Sequence, residues 1–379
     1  MNRNEKFSRR DFLKLSALGL GAAALGQTQL GKAFAEGQFY LSNQLTEPPF
    51  PEGKFLARVC TGSPGARVDI KSEPDMNAPA VGTAWFDDVF EWKQEVIASS
   101  LDPIRINQRW VEIPEGYIYA ENLQKTQYLP QTPLTELPMT SHGNRGMWVE
   151  IVTPLTDLDL TKAQSSYQFW IRETIKPRIY YSQIFWAFDV RQHPETGKIQ
   201  YCLKQLYGAF DESYWVDAEV CRQITEEEIS PIHPDAGNKH VVVDLRYQTL
   251  SCFEGSEEVF FAKVTTGGID QEGKWLTPIG THTIWRKTVS IHMSAGAAVG
   301  NYDIPGIGWS TFFDNEGAAI HATFWHNYFG TARSHGCVNV KPEDAKWVWR
   351  WTEPAVSYFP GDWMATDGKK PTLVEVVED

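Results

Sequence analysis

The chain is short of positive charge, of cysteine and of long apolar runs, and each shortage excludes something. Its 35 Lys and Arg stand against 48 Asp and Glu in 379 residues, a formal charge of −13. Without a basic patch to reverse that balance, the electrostatic attraction that carries nucleic-acid binding is missing, and nucleic acid is set aside as a partner. The most apolar stretch, Leu15 to Gly26, is about twelve residues long where a membrane-spanning helix needs roughly 20. Cysteine occurs at positions 60, 202, 221, 252 and 337 only. If Cys337 stays reduced, the other four could pair in any of three connectivities outside the cytoplasm; a chain this long does not need disulfides, so four buried thiols are an equal expectation.

What is present is ordinary for a globular protein, with 42% hydrophobic and 22% charged residues. The aromatic share of 13%, including fifteen tryptophans, leans toward β structure and toward grooves for sugar or peptide. Plain core filling is the alternative for most of them.

The first residues read as an address. Ser8-Arg9-Arg10-Asp11-Phe12-Leu13-Lys14 is a twin-arginine export signature, the apolar stretch follows it, and Ala33-Phe34-Ala35 supplies a cleavage site. Residues 1–35 are therefore expected to be a signal peptide, with a retained anchor as the weaker alternative. The mature protein is expected to have no stable membrane span and to be periplasmic, wall-associated or extracellular. Residues 36–54, rich in Pro, Gly and Glu, read as a linker.

From Phe55 to Tyr128 short alternating runs are separated by turn residues: Arg67-Val68-Asp69-Ile70, Val81 to Phe86, Val89 to Val96, Arg109 to Ile113 and Gly116-Tyr117-Ile118-Tyr119. Period-two runs at this spacing predict a small barrel or sandwich. In their order they resemble bacterial Src-homology-3-like modules. That resemblance implies recognition of cell-wall polymer, with the barrel held on a flexible segment that concentrates the rest of the protein at the wall without touching the chemistry; a mere spacer or packing module is the alternative. Residues 129–236 predict a β-rich middle module, and nothing in them points to a function. A third segment, residues 238–378, opens with the buried-strand run Lys239 to Leu245. It contains the turn Thr277-Pro278-Ile279-Gly280-Thr281, and after Val340 shows a helix: Pro342 for the first turn, Glu343 and Asp344 beside it, a stripe of Ala345, Val348 and Trp349, and a stop before Pro354.

The chemistry concentrates in Ser334-His335-Gly336-Cys337-Val338-Asn339, with His321 sixteen residues before the cysteine at the end of an apolar run. A thiol attacks as thiolate, so a neighbouring imidazole that takes its proton makes it a nucleophile. Gly336 lets backbone approach a substrate and lets amides face a developing oxyanion. A free cysteine alone is more often a small buried hydrophobe. Five of the nine histidines fall between His282 and His335, which raises zinc as a rival. His321 and His326, however, are five apart, off the i, i+4 spacing of a helical metal pair. No metal or cofactor is expected. His282, His292 and His326 read as surface or satisfied core residues.

With Val264-Thr265-Thr266-Gly267, the Thr277–Thr281 turn, Ile320-His321 and Ser334 to Asn339 in this order, residues 238–378 resemble the catalytic domain of L,D-transpeptidases, cysteine enzymes that re-bond peptidoglycan stem peptides. The resemblance implies a mainly β, sandwich-like domain with a short helix after the nucleophile. It implies Cys337 as nucleophile and His321 as base, with Ser334, His335 and the amides at Gly336 and Cys337 shaping an oxyanion hole. It further implies a mobile lid over Met293–Phe313 and a groove that Met293, Tyr302, Trp309 and Trp325 could line, core packing being an equal explanation for each. Asn339 stands where many members carry arginine and others asparagine, which leaves its substrate contact open. The free nitrogen of His321 needs an acceptor, and the backbone carbonyl of Ala322 is the expected one. An L,D-carboxypeptidase using water as acceptor and a non-catalytic wall-binding protein are the alternatives.

Overall fold

Alternation of covered and open positions sets most of the chain into short strands. Lys239–Asp244 shows it plainly: Val241 and Val243 are fully buried while their neighbours are partly open, the mark of a pleated strand with one covered face. The structure, a computed structural model, describes residues 49–61, 65–103, 105–159, 178–208, 213–294, 302–366, 368 and 370–378. The expected signal segment and the linker as far as residue 48 lie outside them.

Residues 55–128 form two antiparallel sheets. One runs in the order Val89–Glu91, Phe55–Val59, Leu123–Gln127, the other Ala80–Trp85, Arg67–Lys71, Gly116–Tyr119, Arg109–Ile113, Gln94–Ile97. Ala57, Val59, Val111, Ile118 and Leu123, drawn from both, share one buried core. The run expected as a single strand over Val89 to Val96 is two strands, interrupted at Trp92 and Lys93.

The middle segment is an antiparallel sheet in the order Ser213–Asp217, Ile199–Lys204, Ile184–Gln192, Met147–Ile151, Cys221–Gln223, beside a ribbon of Leu155–Asp157 and Arg178–Tyr180. Part of its buried surface is shared with the last segment. Trp148, Ile184, Trp186 and Ile224 belong to the same buried cluster as Val241, Ile320 and Trp349 of the last segment. Trp148 joins the two: its indole Nε1 donates to the Tyr358 carbonyl at 2.7 Å, and its backbone N–H donates to the Tyr358 hydroxyl at 3.0 Å. Opposite its ring, Gly361 has φ +74°, and a Cβ there would stand 2.6 Å from the indole, so only glycine lets the chain pass.

The last segment has two five-stranded sheets. One is ordered Glu257–Lys263, Thr249–Glu254, Lys239–Asp244, Leu373–Val377, Gly280–Thr283. The other is ordered Val338–Val340, Ala319–Ala322, Asp303–Phe312, Arg286–Ser294, Asp362–Met364. The helix Pro342–Trp351 starts on proline, carries Glu343 and Asp344 in its first turn, and buries Ala345, Val348 and Trp349 at i, i+3, i+4 spacing in the common core. The architecture is mainly β, as expected. All five cysteines are free thiols. Cys337 opens the strand Val338–Val340, so this strand separates it from the helix. Among the described residues no helix is long and apolar enough to cross a membrane.

Candidate active site

Two strands running parallel set the geometry. Ala319–Ala322 pairs with Val338–Val340, Ile320 opposite Val338 and His321 opposite Asn339. Opposed residues share a face and faces alternate along each strand. Ile320 and Val338 therefore turn into the common core, while Ala319, His321, Asn339 and Cys337, two residues before Asn339, lie on the other side.

The turn before Cys337 is tightly built. Gly336 has φ +136°, and a Cβ there would lie 3.1 Å from the Leu276 carbonyl oxygen. Thr277 fixes it from the neighbouring turn, its hydroxyl donating to the Gly336 carbonyl at 2.8 Å and accepting the Gly267 N–H at 2.7 Å. The Ser334 hydroxyl donates to the Cys337 carbonyl at 2.5 Å and accepts the Gly336 N–H at 3.1 Å. Ser334 and the Gly336 amide are thus spent within the turn, where the sequence reading had them facing an oxyanion; the reason is that a three-residue loop closes its own polar groups first.

His321 is 3% exposed. Its Nδ1 lies 3.0 Å from the Ala322 carbonyl, an acceptor only, so Nδ1 carries the proton and Nε2 is the free base. The Asn339 amide Nδ2 stands 3.5 Å from that Nε2 and donates to the Thr323 hydroxyl at 2.8 Å. Asn339 is itself buried, and its amide stands beside the imidazole at the cavity wall. Trp325 stacks on the imidazole at 5.8 Å.

Burial pushes the Cys337 thiol up to about 11, against a backbone hydrogen bond from Ala319 that works the other way. Burial also pushes the His321 imidazole down to about 4, outweighing its bond to Ala322. Both shifts favour the neutral thiol and the neutral imidazole, with burial the largest cause for each.

A cavity of about 750 Å³ exposes this pair. Of the expected residues, Cys337, His321, His335, Ser334, Gly336, Asn339, Met293, Tyr302 and Trp325 line it. His335 is exposed on its rim, its ring 5.6 Å from that of Tyr302. Trp309 does not line it: it is 2% exposed in the common core, edge-on to Trp349 at 5.2 Å. Its φ of +56° breaks the extended backbone and turns the side chain inward, which no periodicity foretells. Nor is most of the expected lid a free loop: Asp303–Phe312 is paired along Arg286–Ser294, and residues 295–301 lie outside the described residues.

Among the other lining residues, five bear on the base or on how the modules meet. His326 faces the cavity, its imidazole held down at about 3 by burial and by the neighbouring His321 and Arg333. Arg333 stands over the Tyr328 ring at 4.1 Å. Arg58 and Phe86 come from the N-terminal β module and Tyr180 from the middle segment. That module therefore walls the cavity, which corrects the expectation of a tethered barrel apart from the chemistry. Among the described residues no three His, Cys, Asp or Glu side chains gather as a metal site.

Residues 238–375 match the family model of the L,D-transpeptidase catalytic domain (YkuD). A search of curated proteins finds no match. Among solved structures, the chain is similar to an L,D-transpeptidase from Stackebrandtia nassauensis, at 22% identity over 41% of this chain and 61% of that one, with a TM-score of 0.26. It is similar to the Enterococcus faecium L,D-transpeptidase at 18% identity over 50% of this chain and 73% of that one, TM-score 0.29. An L,D-transpeptidase solved in complex with imipenem is similar at 14% identity over 65% of this chain and all of that one (100%), TM-score 0.29.

Proposed function

We propose that this protein is an exported L,D-transpeptidase that acts on peptidoglycan stem peptides through a thioester on Cys337. The observation that carries the reading is the placement of Cys337 and a tautomer-locked His321 on one strand face and in one cavity, within the segment that matches the catalytic-domain model. Because both groups rest neutral, the proton moves during attack. As Sγ bonds to the carbonyl carbon of the scissile amide, the thiol proton passes to His321 Nε2. Collapse of the tetrahedral adduct breaks the C–N bond, and the imidazolium returns the proton to the departing amine of the terminal D-residue. An acceptor amine then attacks the thioester, gives a proton to Nε2, and displaces the sulfur, which recovers that proton. The Cys337 backbone amide is the donor assigned to the oxyanion, since Gly336 and Ser334 are engaged in the turn; losing one such donor costs roughly 10²–10³ in rate.

The aromatic walls Trp275, Tyr302 and Trp325 suit a peptide acceptor. Export through the twin-arginine signal peptide, residues 1–35, brings the enzyme to the wall. Imipenem, bound by one of the similar structures, is the probe: intact mass is expected to show one covalent adduct on the protein and none on Cys337→Ala. An equal adduct on the alanine variant refutes the assignment of the nucleophile.

A further inference from the structure

The guanidinium of Arg58 is carried by the strand Phe55–Val59 of the N-terminal β module, yet it ends against the backbone beside the catalytic base. Arg58 is 1% exposed. Its Nη2 donates to the carbonyl of Phe324 at 2.7 Å, three residues after His321. Its remaining hydrogen bonds are made inside its own module. Nε and Nη2 donate to the Gln124 side-chain oxygen at 3.0 and 2.8 Å, and Nη1 meets Asp87 at 3.0 Å. Asp87 in turn holds Arg178 at 3.0 Å and the Tyr180 hydroxyl at 3.2 Å. Tyr180 lies under the guanidinium at 4.2 Å and stacks on the Phe324 ring at 5.9 Å.

These contacts converge on one short segment. Thr323 is fixed by its N–H to Val340 and by Asn339; Phe324 by Arg58 and Tyr180; and Asn327 by donating to the Ala120 carbonyl of the N-terminal module at 3.0 Å. Between the anchors at Phe324 and Asn327 sits Trp325, the ring stacked on His321. Desolvating a charged fork is expensive and is repaid only by complete pairing, so a buried guanidinium at this junction is a geometric constraint rather than a source of stability.

We propose that Arg58 is a positioning residue for the His321 imidazole: by clamping the Phe324 carbonyl it fixes Trp325 on the ring, so that the N-terminal module is part of the catalytic machinery. The inference rests on the reading of Cys337 and His321 as the reacting pair. A spacer or wall-binding module would not need a buried charge aimed at the backbone just after the strand that carries His321, and the cavity wall formed by Arg58, Phe86 and Tyr180 is the consequence of that docking.

The test uses the full chain and follows imipenem acylation of Cys337 by intact mass across pH. In Arg58→Met the rate at neutral pH is expected to fall roughly 10- to 100-fold, as for a small misplacement of a reacting group. The acid limb of the profile moves to higher pH, because an imidazole no longer sealed by Trp325 regains its ordinary basicity. Arg58→Lys, which still reaches the carbonyl with one donor, recovers part of the rate. Gln124→Met, which removes two guanidinium bonds inside the module, gives the same changes in smaller measure and decides the matter where Arg58→Met does not fold. Unchanged rates, or a loss that follows melting temperature alone with the acid limb in place, overturn the proposal. A wild-type protein that takes no adduct overturns the reading of the pair instead; the NMR titration midpoint of the His321 ring then decides, and the same midpoint in wild type and variant overturns the positioning role.

Discussion

Asn339 faces His321 across the parallel strand pair, its Nδ2 3.5 Å from the imidazole Nε2 and 2.8 Å from the Thr323 hydroxyl. The imidazole is thereby held at Nδ1 by Ala322, with the Asn339 amide standing beside its free Nε2. Replacing Asn339 with leucine is expected to slow acylation of Cys337 by roughly 10- to 100-fold, less than loss of the general base itself, which is typically worth about 10²–10⁴-fold. The apparent affinity for the donor peptide is expected to stay within a few-fold. A variant whose KM alone rises would return Asn339 to the substrate-binding role the motif suggests.

The neutral resting pair fixes the pH dependence. With the thiol at about 11 and the imidazole at about 4, acylation by imipenem is expected to be flat through neutral pH and to fall as pH drops through about 4, where the base is protonated. Simple alkylation by iodoacetamide, which needs preformed thiolate, is expected to keep rising toward pH 11. An alkylation rate that levels off near neutrality would show a resting thiolate–imidazolium pair.

Two tryptophans separate packing from chemistry. Trp309→Ala empties a fully buried site among Trp349 and its neighbours, and a loss of about 3–5 kcal/mol of stability is expected. Trp325→Ala, at a partly exposed ring on the cavity wall, is expected to leave the melting temperature within a few degrees and to slow acylation. Thermal unfolding beside acylation kinetics distinguishes them; the opposite pattern would place Trp309 in the groove.

Glu228 links the middle segment to the helix through Arg222 and Lys346. Burial alone would raise its carboxyl, but hydrogen bonds and charge from Arg222 and Lys346 hold it down at about 2. A depressed carboxylate contributes stability that is present above its unfolded value, near 4.5, and is lost as pH falls toward 2. Glu228→Gln is therefore expected to melt below wild type at pH 6, with the gap closing by about pH 2. A gap that stays constant across this range would contradict the linkage.

The sequence made the locally encoded parts legible. The helix could be read from Pro342, Glu343 and the Ala345–Val348–Trp349 stripe, and the strands from period-two runs such as Lys239–Asp244. The Ser334–Asn339 turn announced a nucleophile, and the partner of His321 Nδ1 followed from the want of an acid nearby. What was not legible depends on distant chain. Arg58 and Phe324 are 266 residues apart, and nothing in either segment foretells their bond. Trp148 and Tyr358 merge the middle segment with the last one across 210 residues. The upward shift of the Cys337 thiol reflects desolvation in the assembled cavity, which a motif does not contain. Trp309 escaped because one positive φ reverses which way a strand residue points.

The central claim is that Cys337 carries the donor peptide as a thioester. Incubating the full chain with a tetrapeptide stem and an amine acceptor, with rapid quench and intact-mass analysis, tests it most directly. The account predicts an adduct of the donor lacking its terminal D-residue, mapped to Cys337, discharged into a product in which the acceptor replaces that residue, and absent from Cys337→Ala. Exchange that continues in Cys337→Ala, or a wild-type protein that never carries the adduct and forms no product, would contradict it.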